Sequence, residues 1–168
     1  MTDSFLSPSI GTSKVAVILI GPPGIGKSTF VADNPRFVVL SSDAFIQRAA
    51  DKAGVTYDEY LSFNPDVALE RADKMFRRHM RWARRAGRSV IIDRTNLRSK
   101  ARRKLINAFH SDGYHVKGII FKNVSWATWA LRLQSRIGKR LSNSVIGQMI
   151  MSYEEPTNDE QWDELYYL

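Results

Sequence analysis

The stretch VAVILIGPPGIGKSTF, Val15 to Phe30, decides the fold. Val15 to Ile20 is a short, continuous apolar run rich in β-branched residues. It predicts a strand buried on both faces, as in a parallel sheet. Gly21 to Ser28 then fits the pattern G-x-x-x-x-G-K-[ST] in full. Gly21, Gly24 and Gly26 let the backbone turn tightly and approach a phosphate with no Cβ in the way. Successive N–H groups of such a loop bind phosphate oxygens. The helix predicted from Ser28 to Asp33, stopped by Asn34-Pro35, adds its positive end. On this reading Gly21, Pro22, Pro23, Gly24, Ile25, Gly26, Lys27, Ser28 and Thr29 hold the phosphates of ATP or another nucleoside triphosphate. Lys27 reaches the β- and γ-phosphates and the Ser28 hydroxyl ligates Mg²⁺. A glycine-rich turn with a surface lysine is the bland alternative. The strand before the loop and the helix after it argue against that.

Working outward, Phe37 to Leu40, Val90 to Ile92 and Val116 to Phe121 predict further short strands, and Leu165 to Leu168 a last one. After Asp43 come helical segments broken near Gly54 and Asn64-Pro65. Helices are expected over Asp66–Ala86, Ser99–Phe109, Ser125–Arg136 and Ser144–Tyr153. In the long helix Ala72, Met75, Phe76, His79, Ala83 and Ala86 share one face, and Gly87 is its stop. Strands alternating with helices predict an α/β fold of the P-loop NTPase type, adenylate-kinase-like: a parallel sheet with helices on both faces. A small helical lid is expected at about residues 132–142. With 168 residues the chain reads as one domain over residues 14–168, after a loose tail at 1–13 rich in Ser, Thr, Gly and Pro.

Hydrophobic residues at 43% and charged residues at 25% exclude wholesale disorder. No apolar stretch is long enough to span a bilayer, so no membrane partner is expected. No basic leader with an apolar stretch opens the chain. The absence of cysteine excludes disulfide scaffolds, thiolate zinc sites and cysteine nucleophiles, and fits a cytoplasmic protein. The net charge is +8, unevenly spread. Arg71 to Lys104 holds 14 Lys/Arg against two acids, while Leu141 to Leu168 holds six acids and no Lys or Arg. The basic segment points to a polyanion, with a solvated helix face as the plain alternative.

Ligands of open α/β sheets sit at the carboxyl ends of strands. Asp43 and Asp93 fall there. Beside a Mg²⁺–triphosphate, a carboxylate either holds a metal-bound water or takes the proton of an attacking hydroxyl. Each could instead cap the segment that follows. Arg132 and Arg136, four residues apart, share a helix face and would stabilise a migrating phosphoryl group. Lys139 and Arg140 extend that cluster, and Ile137-Gly138 suits a mobile lid. His79, His110 and His115 lack ligand spacing, and His79 reads as core or interface. Trp126 and Trp129 read as packing. Tyr57 and Tyr60 flank the acceptor region.

Together these pieces resemble the kinase domain of polynucleotide 5′-hydroxyl kinases, found in T-even phages and in bacterial and animal end-healing enzymes. The matching segments are GPPGIGKST (Gly21–Thr29), SSD (Ser41–Asp43), IIDRTN (Ile91–Asn96) with the basic helix SKARRKL, and LRLQSRIGKR (Leu131–Arg140). SVIGQMIMSYEEPTNDE (Ser144–Glu160) is similar to the family's closing helix. The resemblance spans about Val15 to Leu168. It implies Asp43 as general base toward a 5′-OH, and Arg136 with its partner Arg132 as lid arginines on the ATP phosphates. Asp93, Thr95 and Asn96 match the segment that lines the active site on the acceptor side; Arg94 departs from the family's D-x-T-N stretch and adds an acceptor-side charge. Mg²⁺ would sit on Ser28, with Asp43 or Asp93 joining through water. The implied partner is RNA or DNA with a 5′-OH end, in a bacterial or phage-infected cell. Some members carry an arginine three residues after the catalytic aspartate; here that residue is Ile46. No Asp-x-Asp or Lys-x-Asp-Gly motif is present, so phosphatase and ligase steps would fall to separate proteins. Two other readings remain: a small-molecule kinase of the same fold, as in the zeta-toxin group, and a nucleotide-binding, RNA-associated module without transfer activity.

Overall fold

The computed structural model describes residues 14–122, 125–135, 139 and 141–168. The expected tail at 1–13 lies outside them, as do Arg136 and Arg140. Five strands, β1 (Val15–Ile20), β2 (Val38–Leu40), β3 (Val90–Ile92), β4 (His115–Ile120) and β5 (Glu164–Tyr167), form one sheet in the order β2-β3-β1-β4-β5. Every pairing is parallel. Ile18 and Leu40 both pair with Ile92, so β1, β2 and β3 end at nearly the same level.

All six residues of β1 are buried, because successive side chains alternate between two covered faces. Ala16, Ile18 and Ile20 join a core with Phe76, Ile106 and Phe109. Val15, Val17 and Leu19 join another with Phe30, Phe37 and Ile119. The described helices are α1 (Lys27–Ala32), α2 (Ser42–Ala53), α3 (Tyr57–Phe63), α4 (Pro65–Arg85), α5 (Ser99–His110), α6 (Trp126–Gln134) and α7 (Asn143–Met151), and α1, α2, α4 and α5 supply side chains to those cores. A 3₁₀ turn at Asn158–Glu160 precedes β5. The expected α/β architecture, with helices on both faces, is what folds. Element ends differ from the expected ones by a residue or two, where end fraying makes boundaries soft.

Three expectations need correcting. In α4 the buried residues are Ala68, Ala72, Phe76 and Ala83. Met75 is 43% exposed, since it sits one residue off that narrow seam. Ala86 is the exposed C-cap. Arg102 does not belong to a solvated basic face: it is fully buried. Its Nε and Nη2 donate to the two carboxylate oxygens of Glu160 at 2.7 and 2.6 Å, and its Nη1 donates to the carbonyls of Asn96 and Leu97 at 3.0 and 2.8 Å. Gly118, inside the expected strand, answers a close approach: a Cβ there would lie 2.5 Å from Leu165 Cδ1.

Candidate active site

The loop after β1 meets the ends of β2 and β3 at the carboxyl edge of the sheet. This is also where the chain parts, toward β2 and β3 on one side and β4 and β5 on the other. A cleft of about 1080 Å³ opens there. Residues Pro23 to Thr29 line one wall. Gly24 has φ 79, which favours glycine, and a Cβ on it would lie a tight 3.3 Å from Leu133. No carbonyl of the described residues accepts the N–H groups of Gly24, Gly26 or Ser28. They are donors available to an anion. Lys27 is buried, and its ammonium donates to the carbonyls of Gly21 and Pro22, each at 2.7 Å. Gly21 and Pro22 therefore act behind the loop: neither lines the cleft, and Pro22 and Pro23 have no N–H to offer.

Asp43 and Asp93 both line the cleft. Neither is a helix cap. Ser41 caps α2, accepting from Ala44 N at 3.4 Å, which leaves Asp43 in the first turn with its carboxylate exposed. The Tyr57 hydroxyl of α3 donates to Asp43 Oδ1 at 3.3 Å. Beside Asp43, the Ser42 hydroxyl is buried without a hydrogen-bond partner among the described residues. Asp93 ends β3. Burial pushes its carboxyl above the usual value; Lys27 pulls it down, Asp43 pushes it up further, and Lys139 pulls it down. Burial together with specific charge partners in a cleft is the pattern that marks a carboxylate as a candidate functional group.

The segment after Asp93 is pinned to the phosphate loop. The N–H of Gly21 donates to the Thr95 carbonyl at 3.0 Å, and Asn96 Nδ2 donates to the Leu19 carbonyl at 2.7 Å. Asn96 adopts φ 47, a conformation asparagine tolerates better than most residues. Its buried amide is a strut, and it does not line the main cleft. Arg94 and Thr95 do. Arg94 pairs with Asp73 at 3.1 Å and lies over the Phe76 ring.

Helix α6 abuts the loop at the cleft. Arg132 lines the cleft and donates to the Ile25 carbonyl at 3.4 Å. Trp129 Nε1 donates to the Pro23 carbonyl at 2.6 Å, so Trp129 ties α6 to the phosphate loop as well as packing. Arg136, expected as its partner, lies outside the described residues. Lys139, from the expected lid, sits over the Tyr57 ring at 4.6 Å. Tyr57 and Trp129 were the site residues least visible beforehand. Each acts through a contact with a residue 14 or 106 positions away, and no local spacing encodes that.

The donor set fits a nucleoside triphosphate with Mg²⁺: loop amides and Lys27 for phosphate oxygens, the Ser28 hydroxyl for the metal. Among the described residues no group of three or more His, Cys, Asp or Glu forms a metal cage. Mg²⁺ would be held through Ser28 and phosphate, as this ion commonly is. No helix of the described residues is long and apolar enough to cross a membrane.

A family profile described as an AAA domain matches residues 17–156. Among solved structures, a presumed kinase from Chloroflexus aurantiacus J-10-fl superposes with a TM-score of 0.67 at 21% identity, over 94% of this chain and 86% of the other. A structure from the PezAT chromosomal toxin–antitoxin system of Streptococcus pneumoniae gives 0.50 at 19% identity, over 64% of this chain and 46% of that one. At these identities the likeness is one of fold.

Proposed function

This chain belongs to the AAA domain family with a P-loop kinase-like fold, and from that premise we propose that it transfers the γ-phosphate of ATP to the 5′-hydroxyl end of RNA or DNA. One observation carries the reading: Lys27, Ser28, Asp43, Asp93 and Arg132 converge on a single cleft from four separate elements. Phosphoryl transfer asks the protein mainly for positioning and for positive charge on the moving group. Loop amides, Lys27 and Arg132 supply the charge, with Arg136 as the expected second lid arginine. Asp43 takes the proton of the acceptor hydroxyl as that oxygen forms its bond to the γ-phosphorus and ADP leaves. Tyr57 engages Oδ1 of Asp43, and no described residue hydrogen-bonds Oδ2, which is the atom assigned to the acceptor. Asp93, beside Lys27 in charge terms, is assigned to a metal-bound water.

The nucleic-acid acceptor is supported by the net charge of +8 and by Arg94, which brings the basic segment to the cleft wall. A different observation favours a second reading. Ile46, Leu69 and Ala72 make the wall beside Asp43 apolar, which suits a compact nucleoside or sugar acceptor. The test is transfer of labelled γ-phosphate with Mg²⁺ to 5′-OH RNA and DNA oligonucleotides, a nucleoside 3′-phosphate and free nucleosides. Label on oligonucleotides, with binding that weakens steeply as salt rises, is the expected result. Label confined to a small acceptor moves the protein to the second reading. ATP binding with no transfer to any of them makes it a binding module.

A further inference from the structure

Past Arg94 the cleft runs on into a recess of about 520 Å³ between α4 and α5. The two spaces share Asp73, Arg94, Thr95 and Met149. Four cations line the recess: Arg77 from α4, Arg94 after β3, and Arg98 and Lys104 at α5. Asp73 is its one carboxylate, and it already pairs with both Arg77 and Arg94. Arg98 and Lys104 have no ion-pair partner among the described residues. A solvated helix face does not explain this, because the cations arrive from three elements and surround a hollow. Arg77, Arg98 and Lys104 are exposed at its rim and screened by water, yet four cations about one acid leave the recess net positive, a field that favours an anion. The floor is apolar, built from Phe76, Leu97 and Leu105, and Phe76 also seats the Arg94 guanidinium at 4.7 Å. Meanwhile α2 itself brings no cation to the cleft beside Asp43: its residue lining the cleft there is buried Ile46.

We propose that this recess grips a phosphate ester of the acceptor, with Arg98 and Lys104 as its contacts and Arg94, held by Asp73, as the gate between recess and cleft. The acceptor hydroxyl then belongs to an anionic molecule, and the phosphate sets its position relative to Asp43. This rests on the reading that the Asp43 side of the cleft takes the acceptor. The phosphate can be the first phosphodiester of a polynucleotide or the phosphate of a small ester; the chemistry in the recess is the same.

The experiment uses the full chain at saturating ATP. Arg98→Gln, Lys104→Gln and their double variant are compared with Arg81→Gln, an exposed α4 position that lines neither space. Acceptors are a 5′-OH oligonucleotide, a nucleoside 3′-phosphate and the matching nucleoside. The double variant is expected to raise KM for both phosphate-bearing acceptors by about tenfold or more, the scale of hydrogen bonds to charged groups. KM for ATP, kcat and the nucleoside reaction stay unchanged, as do all parameters of Arg81→Gln. Transfer to oligonucleotides with an unshifted KM overturns the recess and leaves the proposed function standing. Transfer only to the small phosphate ester, with the shift present, does the reverse. If no acceptor is labelled, calorimetry decides. With ADP present, nucleoside 3′-phosphate must bind the parent more tightly than the nucleoside does, and the double variant must lose that difference. Equal binding of the two compounds, or a difference that survives in the double variant, refutes the recess.

Discussion

Two aspartates at opposite edges of one sheet are tuned in opposite directions. Asp93 ends β3 at the carboxyl edge, and its carboxyl is pushed above the ordinary value by burial. Asp163 precedes β5 at the other edge. Burial pushes its carboxyl up too, but the N–H of Val116 and the imidazoles of His110 and His115 outweigh burial and hold it below the ordinary value. Val116 N donates to Asp163 Oδ2 at 2.6 Å, and His110 Nε2 lies 2.9 Å from the same oxygen. Nearby, the buried Arg102–Glu160 pair spends its hydrogen bonds on the protein itself. Charges at the amino edge and along the α5 seam are matched within the fold. Those at the carboxyl edge are left partly unmatched, which is what a site for an anionic ligand and a metal requires.

The strongest blow to the carboxyl edge is Asp43→Asn. It is expected to cut phosphoryl transfer by about two to four orders of magnitude, the span typical of general-base loss. Thermal stability should hardly change. A variant that kept the parental rate would remove Asp43 from the chemistry. On the matched side, Arg102→Met strands the buried Glu160 and should destabilise the fold by about 3–5 kcal/mol. The double variant Arg102→Met/Glu160→Leu should regain most of that in denaturant melts. If the double is as damaged as the single, the pair itself, and not the stranded charge, is what the fold needs.

The aspartates give a pair of smaller effects with opposite sign. Asp93 has a raised folded value, so folding is penalised as pH climbs past 3.8, and fully so above the folded value. Asp93→Asn should therefore raise Tm at neutral pH by a few degrees, with the gain fading as pH drops below 3.8. Asp163 has a lowered folded value, so its stabilisation is present above 3.8 and is lost as pH falls through the folded value. Asp163→Asn should lower Tm at neutral pH and converge with the parent in acid. Melting curves from acid to neutral pH test both; shifts of one sign at the two sites would erase the contrast. The mildest prediction concerns Trp129→Phe. It removes one hydrogen bond between α6 and the phosphate loop, worth about 1 kcal/mol. Tm should fall by about 2–4 °C, and ATP binding, as read by titration, should weaken by up to about fivefold because the loop is less well held.

The phosphate loop and its flanking strand were legible because their signals are local. Six consecutive apolar residues can only be buried on two faces, and glycine spacing reports backbone geometry directly. Asp43 and Asp93 were legible because strand ends are easy to find, and strand ends of a parallel sheet meet at one edge. The cap question was not, since it turned on Ser41 Oγ against Asp43, one turn of helix decided by side-chain direction.

Arg102 shows the limit most clearly. In sequence it is one of three consecutive basic residues, Arg102-Arg103-Lys104, and charge counting treats them alike. Folded, Arg102 is buried against Glu160, Arg103 is exposed and donates to the Asp159 carbonyl, and Lys104 lines the recess. Successive helix residues point about 100° apart, so three like charges reach three environments, and only packed neighbours assign them. Composition, periodicity and the loop motif were enough for the α/β class, the nucleotide-phosphate loop and the two strand-end acids, all set by backbone constraints that act within a few residues. Which charges are matched inside the protein and which are left for a ligand was decided by contacts between residues up to 107 positions apart. Those pairings depend on desolvation and geometry, which exist only once the chain has folded.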